Sequence, residues 1–138
     1  RTVVAPLGLE VISDPRLRER DFGEWEGLHG DVIREQWPDQ HAVWRGGGHP
    51  EGVGAERRGD VARRFVAGVE DAADRLDADQ TLLAVAHGAC ISAGIAAMLG
   101  QDAEVWSAIR GLDNCHFSVL EASAREQRWR LAAHNLGA

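Results

Sequence analysis

The 138-residue sequence contains no lysine and no tyrosine, one methionine (Met98) and two cysteines. Its 15 basic residues are therefore all arginine, set against 22 acidic residues for a net charge of -7. Arginines scattered through an acidic chain offer no basic face to a polyanion, so nucleic acid is excluded as the main partner, although a local arginine pocket can still hold a small anion. Cys90 and Cys115 have no CxxC spacing and lie in apolar surroundings, which points to buried free thiols in a reducing cytoplasm rather than a disulfide or metal ligands. No pair of histidines has the His-x-x-x-His spacing of a metal site, and neither metal nor cofactor is expected. The longest apolar run, Ala89 to Leu99, is broken by Ser92 and Gly94 and is too short to span a bilayer. No membrane association is expected, no secretory signal is visible, and the expected location is the cytoplasm. Because residue 1 is Arg and the single Met stands at position 98, the chain is expected to be the later part of a longer one.

An apolar content of 44% is enough for one packed domain over residues 1–138. Thr2 to Gly8 reads as a helix end closed by Gly8, followed by a short strand from Leu9 to Ile12. Pro15 to Gly30 reads as an ordered loop, and a short helix runs from Asp31 as N-cap to Trp37. His41 to Gly54, with five glycines and a proline, reads as a mobile loop. From Glu56 to Leu76 the apolar residues Val61, Phe65, Val69, Ala72, Ala73 and Leu76 recur every three or four positions, the mark of an amphipathic helix.

Thr81 to Ala86 is a continuous apolar run, the pattern of a strand buried on both faces of a parallel sheet. A small-residue helix follows from Gly88 to Leu99, then a helix from Asp102 as N-cap to Arg110. Two further strands, Cys115 to Glu121 and Trp129 to Ala133, are joined by the polar turn Ala122 to Gln127. Strands alternating with helices imply an α/β sandwich.

The chemistry concentrates at one strand end. His87 directly follows the apolar run and precedes a helix beginning at Gly88, so its imidazole and the N–H groups of Gly88 and Ala89 converge at the positive end of a helix dipole. Phosphate is the natural occupant of such a place. Glu19 lies in a charge cluster with Arg18, Arg20, Asp21, Glu24 and Glu26, which by charge alone reads as a solvated face.

Two segments add specificity: Leu17 through Glu19, Arg20, Phe22 and Gly23 to Trp25 and Gly27, and Leu82 to Val85 followed by Ala86, His87 and Gly88. They closely resemble motifs of the histidine phosphatase superfamily, the phosphoglycerate-mutase-like enzymes. The resemblance implies an α/β three-layer sandwich with a mostly parallel central sheet, here lacking its first strand-helix units. It implies that His87 hydrogen-bonds the transferring phosphoryl group and that Glu19 serves as catalytic acid and base. Gly88, Ala89, Phe22 and Asn114 are the implied substrate-binding residues, Phe22 at the entrance and Asn114 at a strand start near the same sheet edge. His49, Glu51 and Arg57 fall where substrate-selecting residues often sit in the family, although a disordered loop is the plainer reading of that stretch. Trp129 to Leu131 and His134 to Leu136 match the family's closing strand.

The departure from the family pattern concerns the nucleophile. No histidine here has the preceding Arg and following Gly of the family's phosphorylated histidine, and the second phosphate-binding arginine is expected upstream of Arg1. The absent part is expected to comprise roughly two strand-helix units, on the order of 60 residues. The expected activity of the full-length protein is hydrolysis of a small phosphorylated metabolite through a phosphohistidine, with this chain alone inactive and a homodimer possible. A phosphoglycerate mutase of the same family, an isomerase, and a catalytically inactive phospho-ligand-binding fragment are the alternatives. The His87 segment, the Trp106 helix, the Asn114 strand and the Trp-Arg-Leu ending look most like glucosyl-3-phosphoglycerate phosphatases and broad-specificity relatives.

Overall fold

A computed structural model describes residues 8–105, 108–123 and 128–137. Four helices and one hairpin organise them: α1 (Gly30–Gln36), α2 (Pro38–Arg45), α3 (Arg58–Ala73), α4 (Gly88–Met98), β1 (Phe117–Ala122) and β2 (Trp129–Leu136). The core is the seam between α3 and α4. Val61, Phe65 and Val69 recur at helical spacing on α3 and meet Cys90, Ala93 and Ala96 of α4, all buried. Partly buried Leu120 of β1 and Trp129 of β2 close over this cluster. Burying such a stripe supplies most of a helix's stability, since propensity alone is marginal at these lengths.

The small residues of α4 set how closely the two helices approach. A Cβ placed on Gly94 would fall inside the Phe65 ring. Gly94→Ala is therefore expected to cost about 1–3 kcal/mol or more through overpacking, read as a lower urea midpoint. An unchanged midpoint would mean that the helices can part without loss. The C-terminus of α4 ends on Gly100 at φ 76°, with Gly100 N–H donating to Ala97 O (2.9 Å) and Gln101 N–H to Ala96 O (3.0 Å). Both bonds belong to the motif that closes a helix on a left-handed residue, a conformation that costs glycine nothing.

Several expectations change. The first short helix starts at Gly30 with His29 as its cap, and Asp31 sits in its first turn. His41 to Gly54 is not a mobile loop throughout: α2 extends to Arg45 from Pro38, whose fixed φ suits a first helical position, and Val53 is fully buried. The amphipathic helix ends at Ala73 instead of Leu76. Asp102 does not cap a helix; its carboxylate accepts the Glu104 N–H (2.9 Å) and closes a turn. Trp106, most of the turn after Ser123 and the expected helix end at Thr2 to Leu7 lie outside the described residues.

The sheet differs as well. Among the described residues there is one two-stranded antiparallel sheet, β1 with β2. Residues 9–12 and 81–86 form no ladder, and Leu83 (55%) and Val85 (70%) are exposed where a strand buried on both faces was expected. An apolar run is buried by neighbours on both sides, and among the described residues no strand pairs with this one, although Ala86 at its end packs against the core.

Candidate active site

The site is built at the first turn of α4. His87 is the cap residue, with extended backbone (φ -120°, ψ 163°) and no side-chain bond to the helix it precedes. Its side chain thus stays available instead of satisfying the helix end. Glu19 performs that satisfaction from a distant loop. Its carboxylate accepts the Ala89 N–H (3.2 Å) and the Cys90 N–H (2.9 Å), together with its own neighbour's N–H at Arg20 (2.7 Å). A carboxylate at a helix N-terminus is stabilised both by these donors and by the dipole.

A cavity of about 370 Å³ opens beside this contact, lined by Glu19, His87, Gly88 and, from the approach to β1, Asp113, Asn114 and His116. Four of the six residues singled out from sequence, Glu19, His87, Gly88 and Asn114, therefore border one space. Ala89 and Phe22 do not. They border a neighbouring cavity of about 200 Å³ with Arg20, Trp44 and Arg58. The Ala89 N–H expected to face a phosphate points instead at Glu19, so an incoming anion would compete with that carboxylate for it.

Phe22 meets Trp44 edge-on, with ring centroids 6.3 Å apart, and the Arg20 guanidinium lies 5.2 Å from the centre of the Phe22 ring. Arg20 itself is buried. It donates to Glu56 O (2.8 Å), and burial, followed by the like charge of Arg58, pushes its pKa down. Gly23, at φ 58°, backs so closely onto Val53 and Gly54 that any Cβ would collide with the Val53 carbonyl, which ties this loop to the segment after α2. Arg57 pairs with Glu51 at the surface, and the largely buried His49 ring lies 3.7 Å from Glu51 and 3.3 Å from Arg20 Nη2.

Sequence reasoning missed Asp113, Cys115 and His116 as lining residues. Their contiguity with Asn114 was the available signal, because residues around the start of a strand share its edge. Cys115 is exposed, not buried, and holds a positive φ of 62° at the turn into β1. Cys90 is buried as expected, and desolvation pushes its thiol pKa up. Among the described residues no group of His, Cys, Asp and Glu is arranged to hold a metal ion, and no helix is long and apolar enough to cross a membrane.

The family profile described as histidine phosphatase superfamily (branch 1) matches residues 1–136. The chain belongs to that superfamily. A glucosyl-3-phosphoglycerate phosphatase of Mycobacterium tuberculosis (strain CDC 1551 / Oshkosh) is 32% identical over 144 residues, covering 95% of this chain and 65% of the relative. The chain thus spans somewhat under two thirds of that relative. A 2,3-bisphosphoglycerate-dependent phosphoglycerate mutase of Bartonella henselae is 32% identical over 100 residues, covering 70% of this chain and 48% of its own length. Among solved structures, native mycobacterial glucosyl-3-phosphoglycerate phosphatase superposes with a TM-score of 0.85 at 32% identity, covering 99% of this chain and 70% of that one. The same mycobacterial enzyme has been solved with inorganic phosphate, with a TM-score of 0.83 at 32% identity, covering 98% of this chain and 69% of that one. As a member of this superfamily the chain has the mixed helix-and-strand fold of these neighbours.

Proposed function

We propose that the protein to which these residues belong is a phosphate-monoester hydrolase acting through a phosphohistidine. The observation that carries this reading is the convergence of Glu19 and His87 on one cavity at the amide end of α4, from positions far apart in the chain. In the proposed reaction, a histidine supplied from outside these 138 residues attacks phosphorus while Glu19 protonates the departing ester oxygen. Glu19 then takes a proton from water, whose oxygen attacks the phosphohistidine and releases inorganic phosphate. His87 and the Gly88 N–H hydrogen-bond the transferring phosphoryl oxygens, and Asn114 lies at the rim for the rest of the substrate.

A phosphorylated sugar acid is the proposed substrate class, after the compound for which the mycobacterial relatives are named. Hydrolysis is favoured over mutase chemistry because the phosphatase relatives match 95% of the chain and the mutase 70%. The proposed whole protein is a single-domain three-layer sandwich in which residues 81–86 form a central strand, and it works in the cytoplasm as a homodimer.

The test is calorimetric titration of vanadate into the chain. Vanadate is expected to bind, and His87→Ala to weaken it by about 1–3 kcal/mol, the loss of one charge-assisted hydrogen bond. Equal affinities would return His87 to a purely structural role.

A further inference from the structure

Glu19 sits on a loop whose regular structure is limited to two short turns, Pro15–Leu17 and Gly23–Trp25. Something must hold that loop against α4 if its carboxylate is to stay at the helix amides. Arg64, on α3, has five guanidinium N–H donors, and each has an acceptor. Its Nη1 donates to the carbonyls of Arg16 and Arg18 (both 2.7 Å), and its Nη2 to the carbonyl of Glu19 (2.9 Å). The remaining two donors form a paired contact with the Glu56 carboxylate, from Nε to Oε1 at 2.8 Å and from Nη2 to Oε2 at 2.9 Å.

Glu56 fastens the far side of the same loop. Its N–H donates to Asp21 O (2.8 Å), its carboxylate accepts from the Asp21 N–H (3.3 Å), and its carbonyl accepts from Arg20 Nε (2.8 Å). Both side chains of the pair are only 13% exposed, so water does not compete freely for these donors. Hydrogen bonding to Arg64 pulls the Glu56 pKa down, and that to Glu56 pushes the Arg64 pKa up, as in a mutually stabilised pair.

We propose that Arg64 is a positioning residue: by holding the carbonyls of residues 16, 18 and 19 it fixes the Glu19 carboxylate at the Ala89 and Cys90 amides, facing the cavity that His87 lines. The planar five-donor fork is what the task requires. A lysine can meet Glu56 as a point charge but cannot span three carbonyls and a carboxylate together. The inference rests on the reading of Glu19 as the proton-transferring group, yet the placement itself can be tested without catalysis.

The Ala89 and Cys90 amide protons report the Glu19 charge directly, because each donates to it. Their NMR shifts in the purified chain are expected to show a pH-dependent step, and Glu19→Gln to abolish that step. In Arg64→Met the step is expected to vanish while the helical circular dichroism and the α3–α4 contacts persist. Arg64→Lys, which keeps a cation beside Glu56 and so guards against loss of the fold, is expected to lose most of it. A step of wild-type size in a folded Arg64 variant would overturn the proposal, as would flat Ala89 and Cys90 amides in the wild type. Vanadate titration of the same samples separates the two readings: absent binding with an intact amide step rejects the phosphatase site and leaves Arg64's placement of Glu19 standing.

Discussion

The purified 138-residue chain is expected to hydrolyse p-nitrophenyl phosphate no faster than background. None of its six histidines has the flanking Arg and Gly of the superfamily's phosphorylated residue. In a covalent mechanism the nucleophile accepts the bond that breaks, and its removal costs on the order of 10⁶-fold in a serine hydrolase, with only binding and electrostatic stabilisation left. The cavity bordered by Glu19 and His87 can orient a phosphate ester, and its other histidine, His116, stands between Cys115 and Phe117 instead of between Arg and Gly. An ordinary enzymatic turnover of the chain alone, about 1–10³ s⁻¹, that disappeared in His87→Ala would sink this expectation and require a nucleophile among the residues described above.

In the whole enzyme, Glu19→Gln is expected to lower turnover of a sugar phosphate by about 10²–10⁴-fold, the usual contribution of general acid–base catalysis. The amide is nearly isosteric and its oxygen can still accept the Cys90 N–H, while its NH2 cannot accept the Ala89 N–H, so the vanadate affinity should change far less than the turnover. What it cannot do is shuttle a proton. The loss should be smaller with p-nitrophenyl phosphate, whose leaving group departs without protonation. Turnover unaffected by the substitution, measured with the poor leaving group, would return Glu19 to the role of a helix cap, which the structure already gives it.

The elements legible in the sequence are those whose pattern is local. Val61, Phe65 and Val69 announce α3 through their spacing, and the small residues from Gly88 to Met98 announce α4. The hairpin of β1 and β2 follows from two β-prone runs separated by polar residues. α2 was hidden because three glycines follow it directly and obscure the helix signal that begins at Pro38. The run at 81–86 shows the opposite failure: its composition reads as a buried strand, yet pairing and burial are properties of neighbours, and Leu83 and Val85 are exposed.

By itself the sequence determined the superfamily and the two helices that frame the site, and its motifs singled out Glu19 and His87 as the proposed chemistry-bearing pair. Only the tertiary structure decided how those residues meet. It set Glu19 on the amides of Ala89 and Cys90 across separations of 70 and 71 residues, moved Ala89 and Phe22 to a second cavity, and placed Arg64 under the Glu19 loop from 45 residues away. Hydrogen bonds between such distant positions leave no periodic trace along the chain, because their donors and acceptors are brought together by the packing of α3 on α4 and not by any local repeat.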